Sequence, residues 1–163
     1  MNIAYNTTEP NIGLGQRIDS NALKCYMADT GLLLSMTFNE RSIVNEQIYK
    51  KILFDKLSFN EGMLMENIVA QMLVSSGRKL YFFSRNERHD AADTMEIDFL
   101  ISKDLITSKH NIVPIEVKSG DRYLNKLNNK YKEYLAQGVI LHTKDLGEEE
   151  GVLYLPLYMT PLL

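Results

Sequence analysis

The heptapeptide IVPIEVK, residues 112–118, places two opposite charges inside an apolar run. Its β-branched content predicts a strand. Side chains alternate along a strand, so Val113, Ile115 and Val117 share one face and Glu116 and Lys118 the other, about 7 Å apart. The first face predicts core packing. Charges buried on the second need a counter-charge or an ion, because an isolated buried charge costs roughly several kcal/mol. The preceding apolar stretch, MEIDFLIS at residues 95–102, reads as another strand and contains Asp98. Strict alternation puts Ile97, Phe99 and Ile101 on one face and Glu96, Asp98 and Leu100 on the other. Paired antiparallel, the two strands set Asp98 beside Glu116, with Cα atoms about 4.5–5.5 Å apart. Carboxylates that close repel each other. A divalent cation that favours hard oxygen ligands, magnesium or manganese, relieves the repulsion.

Upstream, Met63, Leu64, Ile68, Val69, Met72 and Leu73 recur at three and four, which predicts a helix over 61–75. Gly77 suits the left-handed position that ends such a helix. Glu66 lies in this apolar stripe, next to the polar Asn67, and a buried Glu is rare unless paired. Around these elements the pattern predicts strands over 80–84, 138–142 and 152–155 and a second helix over 121–137. A polar loop covers 85–94, and a solvated acidic turn covers 144–151. Residues 156–163 read as a final apolar turn or helix. Before the helix, Ala22–Ala28 reads as a strand, and Asp29 as the N-cap of a helical run over 32–38. The 44/48/52 spacing of Val44, Ile48 and Ile52 is helical. Residues 1–21, rich in Asn with Pro10, Gly13 and Gly15, read as an extended lead-in with turns and room for one short strand. Residues 22–163 read as one domain with its core at about 61–143. Helix, strand, strand, strand, helix, strand is an α/β order, with a mixed sheet carrying helices on its faces.

Composition narrows the function classes. A net charge of −3 over 163 residues does not mark a general nucleic-acid binder, so any such role needs a local patch. The helix over 121–137 offers one: Arg122, Lys126 and Lys130 lie four apart on one face, beside an apolar face of Tyr123, Leu127, Tyr131 and Leu135. Its plain reading is the solvated side of an amphipathic helix. Its functional reading is contact with a phosphate backbone, helped by Arg85 and Arg88 in the loop before Asp98. The single cysteine, Cys25, excludes an internal disulfide and Cys-rich zinc sites, and reads as a small strand residue. No apolar run approaches the ~18 residues of a membrane span, and Met1–Ser20 lacks the apolar core of an export signal. A cytoplasmic protein is expected, with no membrane partner. No P-loop motif occurs, so no nucleotide site is expected in this chain. Oligomeric state is left open.

Asp98 followed by Glu116-Val117-Lys118 resembles the D…(D/E)-x-K signature of the PD-(D/E)XK nuclease superfamily, the restriction-endonuclease-like fold. Glu66 matches the extra acidic residue that many of its members carry on the preceding helix. The order αβββαβ from Glu61 to His142 is similar to the superfamily core. Ile97 stands where a Pro usually precedes the Asp. A closer resemblance runs through YNTTEP (5–10), KCYMADTGLL (24–33), EGMLMENIVAQML (61–73), EIDFLI (96–101), PIEVKSG (114–120) and PLYM (156–159). These stretches look like the uncharacterised C-terminal domain of bacterial and archaeal AAA-type ATPases. There, a P-loop ATPase and a winged-helix-like segment come first. This sequence reads as starting inside that C-terminal region.

The resemblance implies a magnesium- or manganese-dependent phosphodiesterase or endonuclease module. Glu66, Asp98, Glu116 and the Val117 carbonyl would hold the metal. Asp98, Glu116 and Lys118 would be catalytic, Lys118 positioning or deprotonating the attacking water. DNA and the ATPase domain are the implied partners. The alternative is an inactive module that binds nucleic acid or protein and regulates the ATPase. A structural domain with a fossil site is a third possibility.

Overall fold

Eight strands among the described residues form one mixed sheet: β1 (Asn2–Thr7), β2 (Ile18–Tyr26), β3 (Leu80–Arg85), β4 (Met95–Ser102), β5 (Ile112–Val117), β6 (Val139–His142), β7 (Gly147–Glu149) and β8 (Val152–Pro156). Their spatial order is β2-β1-β3-β4-β5-β6-β8-β7. The structure is a computed structural model and describes residues 1–11, 13–38, 61–85, 94–103, 109–117, 127, 129–131, 133 and 135–163. The helical spacing at 44/48/52 lies outside these residues. So do Arg88, Lys118, Arg122 and Lys126.

Two helices complete the frame, α1 (Thr30–Phe38) and α2 (Glu61–Ser75). Asp29 caps α1 as expected, its Oδ1 accepting the Leu32 N–H at 2.9 Å. The predicted bounds of α2 hold. Gly77 follows it at φ 82, and the Arg78 N–H returns to the Leu73 carbonyl at 3.0 Å, closing a Schellman turn. One face of α2 packs Val69, Ala70 and Leu73 onto Phe99, Ile101, Val113, Ile115 and Val117 of the sheet. The face predicted for β5 is therefore the core face. Behind the sheet, Phe83, Ile97, Leu100, Ile112 and Ile140 form a second cluster with Leu127 and Leu135. Leu127 and residues 129–131 are helical, in keeping with a second helix on that side. Among the described residues no helix is long and apolar enough to cross a membrane.

Three expectations change. The first concerns residues 1–21, read as an extended lead-in, from which β1 joins the sheet. β1 pairs antiparallel with β2 and parallel with β3, and Ala4 is fully buried between them. Pattern reading allows a short strand here but not its inner place in the sheet, because its burial comes from neighbours distant in sequence. The second concerns the acidic turn. Glu148 and Glu149 lie on β7, an exposed edge strand paired with β8, where charges discourage further pairing.

The third bears on the site. β4 does not alternate strictly. Tyr81 pairs with Leu100 but Phe83 pairs with Ile97, so two steps on β3 face three on β4. This extra residue is a β-bulge at Asp98 and Phe99. Ile97 and Leu100 consequently share the back layer, while Phe99 and Ile101 face α2.

Asn67 ties α2 to the end of β2. Its Oδ1 accepts the Met27 N–H at 2.8 Å, and its Nδ2 donates to the Met27 carbonyl at 3.2 Å and to Thr30 Oγ1 at 2.9 Å. The side chain is buried, so Asn67→Ala strands several polar groups. We expect it to lower unfolding stability by about 2 kcal/mol in urea denaturation. A change below about 0.5 kcal/mol would show that water substitutes for the amide.

Candidate functional site

Lys24 and Tyr26 alternate along β2, so both point toward α2. Lys24 reaches across the Phe82 ring, its Nζ 5.2 Å from the ring centre. It ends among three carboxylates: Glu96 Oε1 at 2.8 Å, Glu66 Oε1 at 3.0 Å and Asp98 Oδ1 at 3.9 Å. The Tyr26 hydroxyl donates to the same Glu66 oxygen. Glu66 comes from α2, and Glu96 and Asp98 from β4. The bulge turns Asp98 out of the regular ladder. Its Oδ2 accepts the Val117 N–H of β5 at 2.8 Å.

The electrostatics follow from burial and crowding. Burial, then the nearby Glu66 charge, raises the Asp98 carboxyl to about 6, against the lowering effect of the Val117 amide and Lys24. Burial alone would lower the Lys24 ammonium. Glu96, Glu66 and Asp98 outweigh it and hold its pKa above the usual lysine value. Burial, then the Glu66 charge, raises the Tyr26 phenol, which stays a protonated donor. Three acids around one ammonium leave the pocket net negative.

The predicted site residues are brought together only in part. Glu66 and Asp98 meet, through Lys24. The β4–β5 pairing ends at Phe99↔Ile115, one residue short of Asp98 and Glu116. Their side chains separate. Glu116 is 2% exposed and pairs with Ile140, so alternation puts it in the back layer, away from α2. Val117 donates its N–H to Asp98. Lys130 is exposed on a helical turn, and Arg85 ends β3 half-buried.

Among the described residues, no group of three or more His, Cys, Asp or Glu side chains is placed to share a metal ion. As arranged, Glu66, Asp98, Glu116 and the Val117 carbonyl do not fit one divalent ion. An ammonium stands between the first two, and the third lies in another layer.

Sequence reasoning missed Lys24, Tyr26 and Glu96. The signal was present: a buried Glu66 demanded a cation, and Lys24 lies two residues before Tyr26 in an apolar strand. What hid it was the separation of 42 residues between Lys24 and Glu66.

The family model described as a domain of unknown function, DUF4143, matches residues 61–159, more than half of the chain and the whole span from α2 to the last turn. The chain belongs to the DUF4143 family. Its match includes Glu66, Asp98, Glu116 and Lys118, whereas Lys24 and Tyr26 fall before it. No curated protein and no solved structure matches the chain.

Proposed function

We propose that this DUF4143 chain is a nuclease-like module of PD-(D/E)XK type that works without hydrolysis, as a regulatory binding module of a AAA-type ATPase. The observation that carries the reading is Lys24, whose ammonium lies between Glu66 and Asp98, two of the carboxylates that a metal would need. The order α2, β3, β4, β5, a helical turn and β6 supports the superfamily likeness, as does the D…E-x-K spacing. The separation of Glu116 from Asp98 supports the absence of catalysis. What the module retains is a sheet whose strand β2 is tied to α2 by the part-buried Lys24–Glu66 ion pair and by Asn67.

The second reading is a magnesium- or manganese-dependent nuclease acting on DNA. The antiparallel pairing of β4 with β5 favours it, because Asp98 and Glu116 each lie one residue beyond the Phe99↔Ile115 pair. One experiment separates the two. Plasmid, linear and single-stranded DNA are incubated with magnesium or manganese and wild type, Asp98→Ala or Lys118→Ala. We expect no metal-dependent cleavage by any of the three proteins. Cleavage by wild type that both substitutions abolish would establish the nuclease instead.

A further inference from the structure

We propose that the uncovered back face of β1 and β2 docks a second copy of this chain, the same face of each copy meeting the other through Ile3, Leu23 and Cys25. The inference goes beyond the reading above and holds whether or not the module cleaves DNA. Residues 2–5 of β1 pair with residues 23–26 of β2, which sets Ile3 opposite Cys25 and Tyr5 opposite Leu23. On its other side Tyr5 is paired with Tyr81 of β3. Alternation puts these five side chains on the face away from α2, and Ala4, Lys24 and Tyr26 on the face toward it. An antiparallel sheet with one face in water ordinarily turns its polar side chains to the water. Here the pattern is inverted. The one charge on the two paired stretches, Lys24, points to the covered side, where it meets Glu66 of α2. The open side carries apolar groups: Ile3 is 39% and Leu23 48% exposed, and Cys25 is exposed beside them.

Shape, area and charge favour a second copy as the occupant. Met1, Ile3, Tyr5, Ile18 and Tyr81 line a common open groove of about 650 Å³. Leu23 is outside this lining and stands next to it, through its pairing with Tyr5. A knob beside a groove is self-complementary about a two-fold axis, because each copy's Leu23 enters the other's groove. Together the side chains of this face expose on the order of 500 Å², the upper end of what a lone monomer shows. Two such faces amount to about 1,000 Å², enough for a specific but weak dimer. No acidic residue lines the groove, and its cations, Arg78 and Lys79, lie at one end, just before β3. A two-fold axis across the strands sends the two copies of Lys79 to opposite ends of the contact, so they do not repel.

Sedimentation equilibrium over about 1–500 μM tests this, with a dissociation constant expected on the order of 10–100 μM. Leu23→Lys and Ile3→Lys, at positions exposed in the monomer, should each weaken association at least about tenfold. Leu146→Lys, exposed beside the opposite edge strand β7, should leave it unchanged. Cys25 locates the contact independently of any folding defect in the variants. Its alkylation rate in the wild type should fall with protein concentration in step with the dimer fraction. In Leu23→Lys it should stay at the monomer rate. A wild type that is monomeric over the whole range would overturn the inference. So would a dimer that both lysine variants retain, or one in which Cys25 reacts as fast as in the monomer. In those cases the contact lies on another surface, or this face serves a different partner.

Discussion

Lys24→Met lowers the free energy of unfolding at neutral pH by about 2–4 kcal/mol, the largest single-residue effect we expect outside the apolar core. Methionine fills a similar volume and keeps contact with Phe82, so little of the loss is packing. The loss comes from stranding charge. Glu66 and Asp98 are 23% and 17% exposed at their side chains and depend on the ammonium for compensation. Glu96, at 53%, is solvated and contributes little. Removing one partner of a sheltered pair costs more than the pair itself contributes, because the remaining charge keeps its desolvation penalty. That asymmetry gives a second measurement. Glu66→Gln should recover part of the loss when added to Lys24→Met, so the two substitutions together cost less than their sum. Urea denaturation of the four proteins reads both. Additive losses, or a Lys24→Met loss below about 0.5 kcal/mol, would mean that water already screens the pocket.

Asp98→Asn should stabilise the protein above neutrality. A carboxyl whose pKa is raised on folding holds its proton more tightly in the folded state. Between its ordinary value of 3.8 and about 6, the folded chain carries more protons than the unfolded one. Stability contributed at this position is present in full below that window and is lost as pH rises through it. The loss is on the order of 2 kcal/mol once Asp98 is fully ionised. Asparagine removes the charge but keeps an oxygen to accept the Val117 N–H. Lys24 still holds Glu66 and Glu96. The variant should therefore gain about 1–2 kcal/mol over wild type at pH 8 and match it near pH 4. Chemical denaturation at the two pH values checks the slope as well as the sign. A variant less stable than wild type at pH 8 would place the benefit of Asp98 in its charge, as a ligand or catalytic group requires.

A gain from neutralising Asp98 has a functional meaning. A carboxylate that folding disfavours is retained for something other than stability. In the regulatory reading it keeps Lys24 centred and fastens β4 to β5 through Val117. In the nuclease reading it waits for a metal. The pH profile of stability and the cleavage assay together distinguish these roles.

Local chemistry was legible in the residues. The three-and-four spacing from Met63 to Leu73 specified α2 to its last residue, because helix periodicity and the Gly77 terminator are properties of neighbouring positions. Asp29 announced its cap for the same reason. The runs of 95–102 and 112–117 announced β4 and β5, and their antiparallel pairing follows from a short connection. The charges at Glu66, Asp98 and Glu116 stood out because each interrupts an apolar pattern.

Tertiary structure decided the rest. β1 became an inner strand through partners at residues 18–26 and 80–82, which no window along the chain contains. The bulge at Asp98 arises only from matching β4 to β3, and it puts Leu100 in place of Phe99 on the layer of Ile97. The ion that answers the acids is Lys24, supplied by an edge strand 42 residues before Glu66. Sequence determined which charges needed company. The sheet order determined what company they found, because an ion pair depends on distance in space and a single chain records only distance along itself.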